Sequence, residues 1–350
     1  MGSEMCIRDR DARGRQKRFV VVFGFTAILL AGAFFFVRIN PACRQNLAVH
    51  HAQYQELAEA LSEGKVSVGD VEEALLAMKN PYDTIALQAA GIGYRADYAY
   101  HDGKYYVYFG IVPVLLLYLP YYLLTGGALQ NYVAVFVFFA GFIIAAAGFV
   151  YELMKRYFKE QPFYLWAVGT GMLVGSYSMF YLLIRPDLYH VPIVASTMFA
   201  TAGLWLYLAG LNRPKKAVGL YAFGSFCMAL TAGCRPQFIL FAALAVVLFW
   251  ERVFVKRELF SKKGWRQTAA LVVPYVLIAA GLMAYNALRF GSPFDFGASY
   301  SMTSNDMTHR GTNLERILYG IWYFLFEPMQ LEGKLSLIHI SEPTRPLYIS

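Results

Sequence analysis

Acids and cations are confined to a few polar islands in an otherwise apolar chain. Between residues 38 and 104 stand Asp83, Arg95, Asp97, His101, Asp102 and Lys104. Further on, short junctions between apolar runs hold Arg185, Asp187 and His190 in IRPDLYH, Arg235 in GCRPQ, and Arg289 in YNALRFGSPFDFG. A charged group at the lip of a membrane helix is costly, and it becomes a functional candidate when a partner or cavity can be proposed for it. Carboxylates gathered with guanidinium and ammonium groups at a membrane surface could take a proton from a hydroxyl and neutralise a lipid phosphate. The same set could line a transporter vestibule.

Each of these residues also has a plainer reading. Arg235 and Arg289 at helix ends can snorkel to headgroups. Asp187 can pair with Arg185 or cap the helix that follows Pro186. Asp83 can close a turn after Asn80 and Pro81. A lone His190 is more often an ordinary hydrogen-bonding residue than a metal ligand. The tyrosines of KYYVYFG and LPYYLL fit an interfacial aromatic belt, with sugar stacking as the sharper alternative.

The elements that must position these groups follow from composition. Of 350 residues 58% are hydrophobic and only 15% are charged, against about 25% charged in soluble domains. The expected class is all-α, a polytopic transmembrane bundle of seven to nine hydrophobic segments. Net charge +8 gives no argument for nucleic acid, because cytoplasmic loops rich in Lys and Arg account for it. The four cysteines show no CxxC or Cys/His metal spacing.

The expected order is a basic cytoplasmic segment at 11–18, a first transmembrane helix at 19–37 and an extracytoplasmic loop at 38–104. A helix bundle follows over 105–290, then a second extracytoplasmic segment over 291–333 with an interfacial helix or the start of another span at Leu314–Phe326. In the first loop, Leu57–Leu61 and Val71–Met78 read as short amphipathic helices, and NPYD and HDGK carry turn chemistry. Basic clusters at Lys155, Arg156 and Lys159, at Arg213, Lys215 and Lys216, and from Arg252 to Arg266 are expected on the cytoplasmic side. A full crossing by 105–125 would send the first cluster outside. Pro113 and Pro120 in that run leave a re-entrant segment or an exception to the charge rule as the two solutions.

Both ends resemble foreign sequence. Residues 2–10, GSEMCIRDR, and 335–345, LSLIHISEPTR, resemble in-frame translations of one sequencing-library transposase adapter read in opposite orientations. The expectation is that 1–10 and 334–350 are adapter-derived and that the natural sequence, from about Asp11 to about Gly333, is a fragment.

The first helix, the acidic loop and then HDGKYYVYFGIVPVLLLYLP resemble the "nG-x-x-Y-x-x-K-P-P-L" region of the protein O-mannosyltransferase and aminoarabinose transferase group, which has the type C glycosyltransferase fold. RPDLYH, GCRP and YNALRFGSPFDFG look like segments of bacterial membrane glycosyltransferases of that superfamily, so the likeness covers about residues 19–300. Two features depart from the pattern. The paired Asp-Glu of the first loop is absent, and Ile111, Val112 and Pro113 stand where Lys-Pro-Pro is expected.

The resemblance implies a bacterial cell-envelope enzyme of the plasma or inner membrane, with the lipid bilayer and a lipid-linked sugar donor as partners and an unknown acceptor. Sugar would pass from polyprenyl phosphate to an acceptor hydroxyl on the outer face. Asp83 or Asp97 would be the base, with the choice open. Asp187 would orient the acceptor or assist a divalent metal, the one candidate cofactor. Lys104, Arg235 and Arg289 would meet phosphate, and Arg95, His101, Asp102, Arg185 and His190 would complete the substrate site. The alternatives are a carrier or flippase of lipid-linked glycans, and a non-catalytic envelope-assembly protein. The gathering of charges at one edge, without a visible repeat, favours the enzyme.

Overall fold

The computed structural model describes residues 2–44, 52–176, 179–261, 264–303, 306–309 and 314–326. Among them, six helices are long and apolar enough to cross a membrane: Arg18–Ile39, Asn131–Tyr157, His190–Asn212, Pro214–Cys234, Pro236–Val255 and Trp265–Phe290. The shortest, of 20 residues, is about 30 Å long, the thickness of the hydrocarbon layer. The protein is a multi-pass, all-α membrane bundle.

Helix α1 (Gly2–Ile39) includes the adapter-like residues 2–10, while 335–345 lie outside the described residues. Three helices form the centre: α7 (Asn131–Tyr157), α10 (His190–Asn212) and α11 (Ala217–Cys234). Their apolar windows are 56–61% buried, against 6–11% for α1, the Pro236–Val255 span and α13 (Trp265–Phe290). Glycine notches bring the central helices together. Gly148 takes the indole of Trp205, Gly210 takes the ring of Tyr221, and Gly203 meets the backbone of Gly224, where an added Cβ would lie 3.0 Å from the carbonyl oxygen. Small residues permit this approach in lipid, where apolar faces gain nothing by mutual hiding.

The bundle has two chemically distinct ends. At the basic end, Glu152 of α7 accepts from Asn212 (2.8 Å) and pairs with Arg213, and Arg252 donates to Tyr221 (3.0 Å) and Gln267 (2.7 Å). All three basic clusters therefore share one end. At the other end the polar loop folds into α2 (Gln53–Ser62), α3 (Glu73–Leu76), α4 (Thr84–Ala89) and a hairpin of β1 (Ala99–His101) and β2 (Lys104–Tyr106). Asp102 (φ 48°) and Gly103 (φ 70°) make its two-residue turn, the left-handed pair that matches strand twist. This small hairpin is an addition to the all-α expectation.

The parity problem at 105–125 resolves as a segment that does not cross. Residues 104–106 are strand, and α5 (Ile111–Pro113), a π turn at Val114–Tyr118 and α6 (Leu119–Thr125) follow. Gly110 at its start donates to the Cys234 carbonyl (2.9 Å), at the loop end of α11. Midway along it, Tyr118 donates to Asn131 (2.8 Å), the first residue of α7. Gln55 of α2 reaches Leu129 (2.7 Å) and Asn131 (3.0 Å) from the loop. Both ends of the segment thus lie at the loop end. With that segment on the loop side, α7 alone separates the loop from the first basic cluster, and a pair of apolar stretches separates each cluster from the next.

The apolar run 164–184 is divided into α8 (Tyr164–Ser176) and α9 (Met179–Ile184). Residues from Thr308 form a separate unit. Within it, α14 (Leu314–Phe326) lines up Leu314, Ile317, Leu318, Ile321 and Trp322 on one exposed face, the spacing of an amphipathic helix.

Candidate functional site

The loop and the bundle meet where four elements end. The hairpin arm runs on through Val107, Tyr108 and Phe109 to Gly110. Gly110 adopts φ +82°, and a Cβ there would fall 2.5 Å from the ring of Tyr54. Tyr54 is fully buried, packs against Tyr118 (5.5 Å between ring centres), and donates its hydroxyl to the Leu188 carbonyl (2.8 Å). This contact fixes the neighbouring residue, Tyr189.

Tyr189 is the hub. Its hydroxyl donates to Asp97 Oδ1 at 2.5 Å, and its ring stacks on Phe109 (5.6 Å, 24°). The Arg235 guanidinium lies over both the Phe109 ring (5.3 Å) and the Tyr189 ring (5.9 Å). Burial first, and then the hydrogen bond to Asp97, push the Tyr189 phenol well above its ordinary range. It therefore remains a donor at physiological pH. Burial likewise raises Tyr108, which interacts with Tyr189 and feels both Asp97 and Arg235. Asp97 and Arg235, far apart along the chain, are joined here by two aromatic rings.

Backbone geometry presents Asp97. It adopts φ 62°, a left-handed conformation that Asp tolerates better than most residues. Its N–H donates to Met302, and Met302 donates back to Tyr98 (both 2.9 Å). The loop after α13 thus clamps the turn that carries the carboxylate.

The other sequence candidates divide between this hub and its surroundings. Arg289 is only 4% exposed, so it does not snorkel. It donates to the Val107 carbonyl (2.6 Å) and to Asn286 (2.8 Å) and lies over the Tyr285 ring (3.9 Å). A cavity of about 10 Å³ beside it is shared with Tyr108, Phe109 and Cys234, room for about one water rather than a phosphate. Arg289 ties α13 to the arm that carries Phe109.

Asp187 accepts from the N–H groups of Tyr189 (2.9 Å) and His190 (3.1 Å), the start of α10, and contacts the His190 ring at 3.0 Å. Burial opposes its ionisation, but these interactions, led by His190, outweigh it and hold the carboxyl below its ordinary value. Arg185 is exposed, donates to Tyr181 (3.0 Å), and offers its carbonyl to His190. RPDLYH is therefore a capped turn whose Tyr189 faces the hub.

Asp83 caps α4 by accepting from Ala86 (3.0 Å) and is exposed. Arg95 is matched by Glu56 and lies over the Tyr98 ring (4.2 Å). With Lys104 it lines a separate groove of about 810 Å³ that also holds Glu56, Glu59, Glu63 and Asp70. His101 packs on Tyr300 (4.5 Å), beside Asp102 in the hairpin turn.

Sequence reasoning named Tyr108 only among the KYYVYFG tyrosines, as part of an interfacial belt or a sugar-stacking face, and missed Tyr189 and Phe109. Their available signal was adjacency, since Tyr189 follows two residues after Asp187, and Phe109 follows Tyr108. Among the described residues no three His, Cys, Asp or Glu side chains gather as a metal site, and Asp187 Oδ1 is engaged by the backbone of Tyr189 and His190.

No family model, curated protein or solved structure matches the chain.

Proposed function

We propose that the protein is a membrane glycosyltransferase that moves a sugar from a polyprenyl-phosphate donor to an acceptor hydroxyl on the extracytoplasmic face. One observation carries this reading. Asp97 and Arg235 flank a single tyrosine at the end of the bundle opposite its basic clusters. That end is extracytoplasmic if Lys and Arg loops stay inside.

In this reading Asp97 is the base. The bond from Tyr189 occupies part of the lone-pair capacity of a carboxylate and leaves room to accept another proton. The acceptor hydroxyl gives its proton to Asp97, its oxygen bonds to the anomeric carbon, and the bond from that carbon to the phosphate oxygen breaks. The leaving phosphate keeps the electron pair, and its charge faces Arg235, whose planar fork suits phosphate. Tyr108 and Tyr189, both half-buried, supply aromatic surface for the sugar, with Phe109 stacked behind Tyr189. Asp83, serving α4 as a cap, takes no part.

The test adds a labelled polyprenyl-phosphate sugar to membranes carrying the protein and follows label into any acceptor. Asp97→Asn is expected to lower transfer by about 10²–10⁴-fold, the range for a general base, while Asp83→Asn keeps it. Full transfer by Asp97→Asn would overturn the assignment.

A further inference from the structure

A second cleft lies at the opposite end of the molecule, away from every group discussed above for sugar transfer. It encloses about 440 Å³ between α1, α7 and the turn that leads to α8. Arg18, Lys155 and Lys159 line it together with Tyr151, Met154, Phe158, Gln161 and Phe163. Its lining contains three cations and no carboxylate. Arg18 lies over the Phe163 ring (5.5 Å), and Phe163 stacks on Trp166 (5.9 Å, 6°), which is itself buried and anchored to the Ala147 carbonyl (3.0 Å). The floor is therefore fixed, while Lys155 and Lys159 stand exposed at the rim.

The depth of this cleft is set by the spans. Arg18 directly precedes the apolar run of α1 that begins at Phe19, and Tyr157 ends α7, so the cations stand where hydrocarbon gives way to headgroups. An exposed cation cluster facing water would hold counterions loosely. One placed at this level, over an aromatic floor, matches a ligand that has phosphate at the boundary and acyl chains below it.

We propose that the cleft formed by Arg18, Lys155, Lys159 and Phe163 is a binding site for the phosphate headgroup of an anionic phospholipid, seated between α1 and α7. The lipid bridges the first helix, whose window is only 11% buried by protein, to the central bundle. It is a structural ligand, separate from the sugar donor at the other end.

The experiment reads bound lipid on the full chain by native mass spectrometry. The protein is taken from bilayers containing cardiolipin, phosphatidylglycerol or phosphatidylcholine, and inorganic phosphate is added in a separate arm. Retention is expected for the two anionic lipids, not for phosphatidylcholine, and free phosphate is not expected to compete at millimolar levels. Lys155→Gln with Lys159→Gln should weaken retention about thirtyfold, taking each lysine at its usual worth near an anionic surface. Lys215→Gln with Lys216→Gln removes the same charge from the same end outside the cleft, and should leave retention within about twofold. Equal loss in both pairs would reduce the effect to general surface charge and overturn the site, as would equal retention of phosphatidylcholine. Displacement by inorganic phosphate would mark a soluble anion site instead. Neither lysine pair touches the Asp97 hub, so sugar transfer can fail without affecting this result.

Discussion

Gly110→Ala tests the joint on which the site turns. Gly110 adopts φ +82°, and the added methyl would lie 2.5–2.7 Å from three atoms of Tyr54. Holding a residue with a Cβ in the left-handed region costs about 1–2 kcal/mol. The overlap adds about 1–3 kcal/mol, because Tyr54 is fully buried and its hydroxyl is tied to Leu188. The expected loss is roughly 2–5 kcal/mol, read as a shift in unfolding by denaturant in mixed micelles.

A double-mutant cycle separates the two contributions. Tyr54→Ala alone should cost about 3–5 kcal/mol as a large-to-small change in a packed site. Once the ring is gone, Gly110→Ala should cost only its backbone share. The pair should therefore be less damaging than the sum of the singles by about 1–3 kcal/mol. Strict additivity, or a neutral Gly110→Ala, would show that the arm does not press on Tyr54, and the positioning of Tyr189 through Leu188 would lose its basis.

Further outcomes follow from the same geometry. Single cysteines at Ala128 and Ile85 should react with an impermeant maleimide from one side of sealed membranes, and those at Lys159 and Lys215 from the other; reactivity of Ala128→Cys with the latter pair would mean that Ile111–Thr125 crosses. Tyr189→Phe keeps the ring contacts with Phe109 and Arg235 but removes the donor to Asp97, so kcat should fall about 10–100-fold with little change in donor KM; an altered KM alone would make Tyr189 a binding residue only. The Asp187 carboxyl is held below its ordinary value, so its contribution to stability is full above about pH 4 and is lost as pH falls further. The stability gap between the protein and Asp187→Asn should thus be constant near neutrality and narrow in acid; a gap that widens in acid would contradict the capping role. Glu152→Gln should cost about 1–3 kcal/mol by weakening bonds to Asn212 and Arg213, whereas Glu152→Leu with Arg213→Leu should cost less.

The membrane class, the long spans and the two short loop helices were readable because hydrophobic run length and periodicity are local properties. The HDGK turn was readable for the same reason, since Asp-Gly encodes its own backbone. The course of Ile111–Thr125 was not: its apolar residues look like those of a span, and only contacts with Gln55, Asn131 and Cys234 turn it back. In the site, residue type alone ranked Asp83 beside Asp97. What separates them is that Asp83 meets its own helix three residues on, while Asp97 is held by Met302 and met by Tyr189, partners no window of sequence contains. Arg235 and Arg289 looked alike for the same reason, though one lies over the hub and the other is sealed beneath the arm.

The notches along α10 make that helix a rod with a fixed azimuth. Gly203 lies about 21 Å below Tyr189 at 1.5 Å per residue, and Tyr189 continues the helical path with φ −78° and ψ −27°. A turn of roughly 10° at the notch would swing a tyrosine hydroxyl by about 1 Å or more, given the helix radius and the length of the side chain. Misplacement on that scale can cost about a hundredfold in rate. Glycines deep in the hydrocarbon, with no chemistry of their own, thus aim the phenol from a distance.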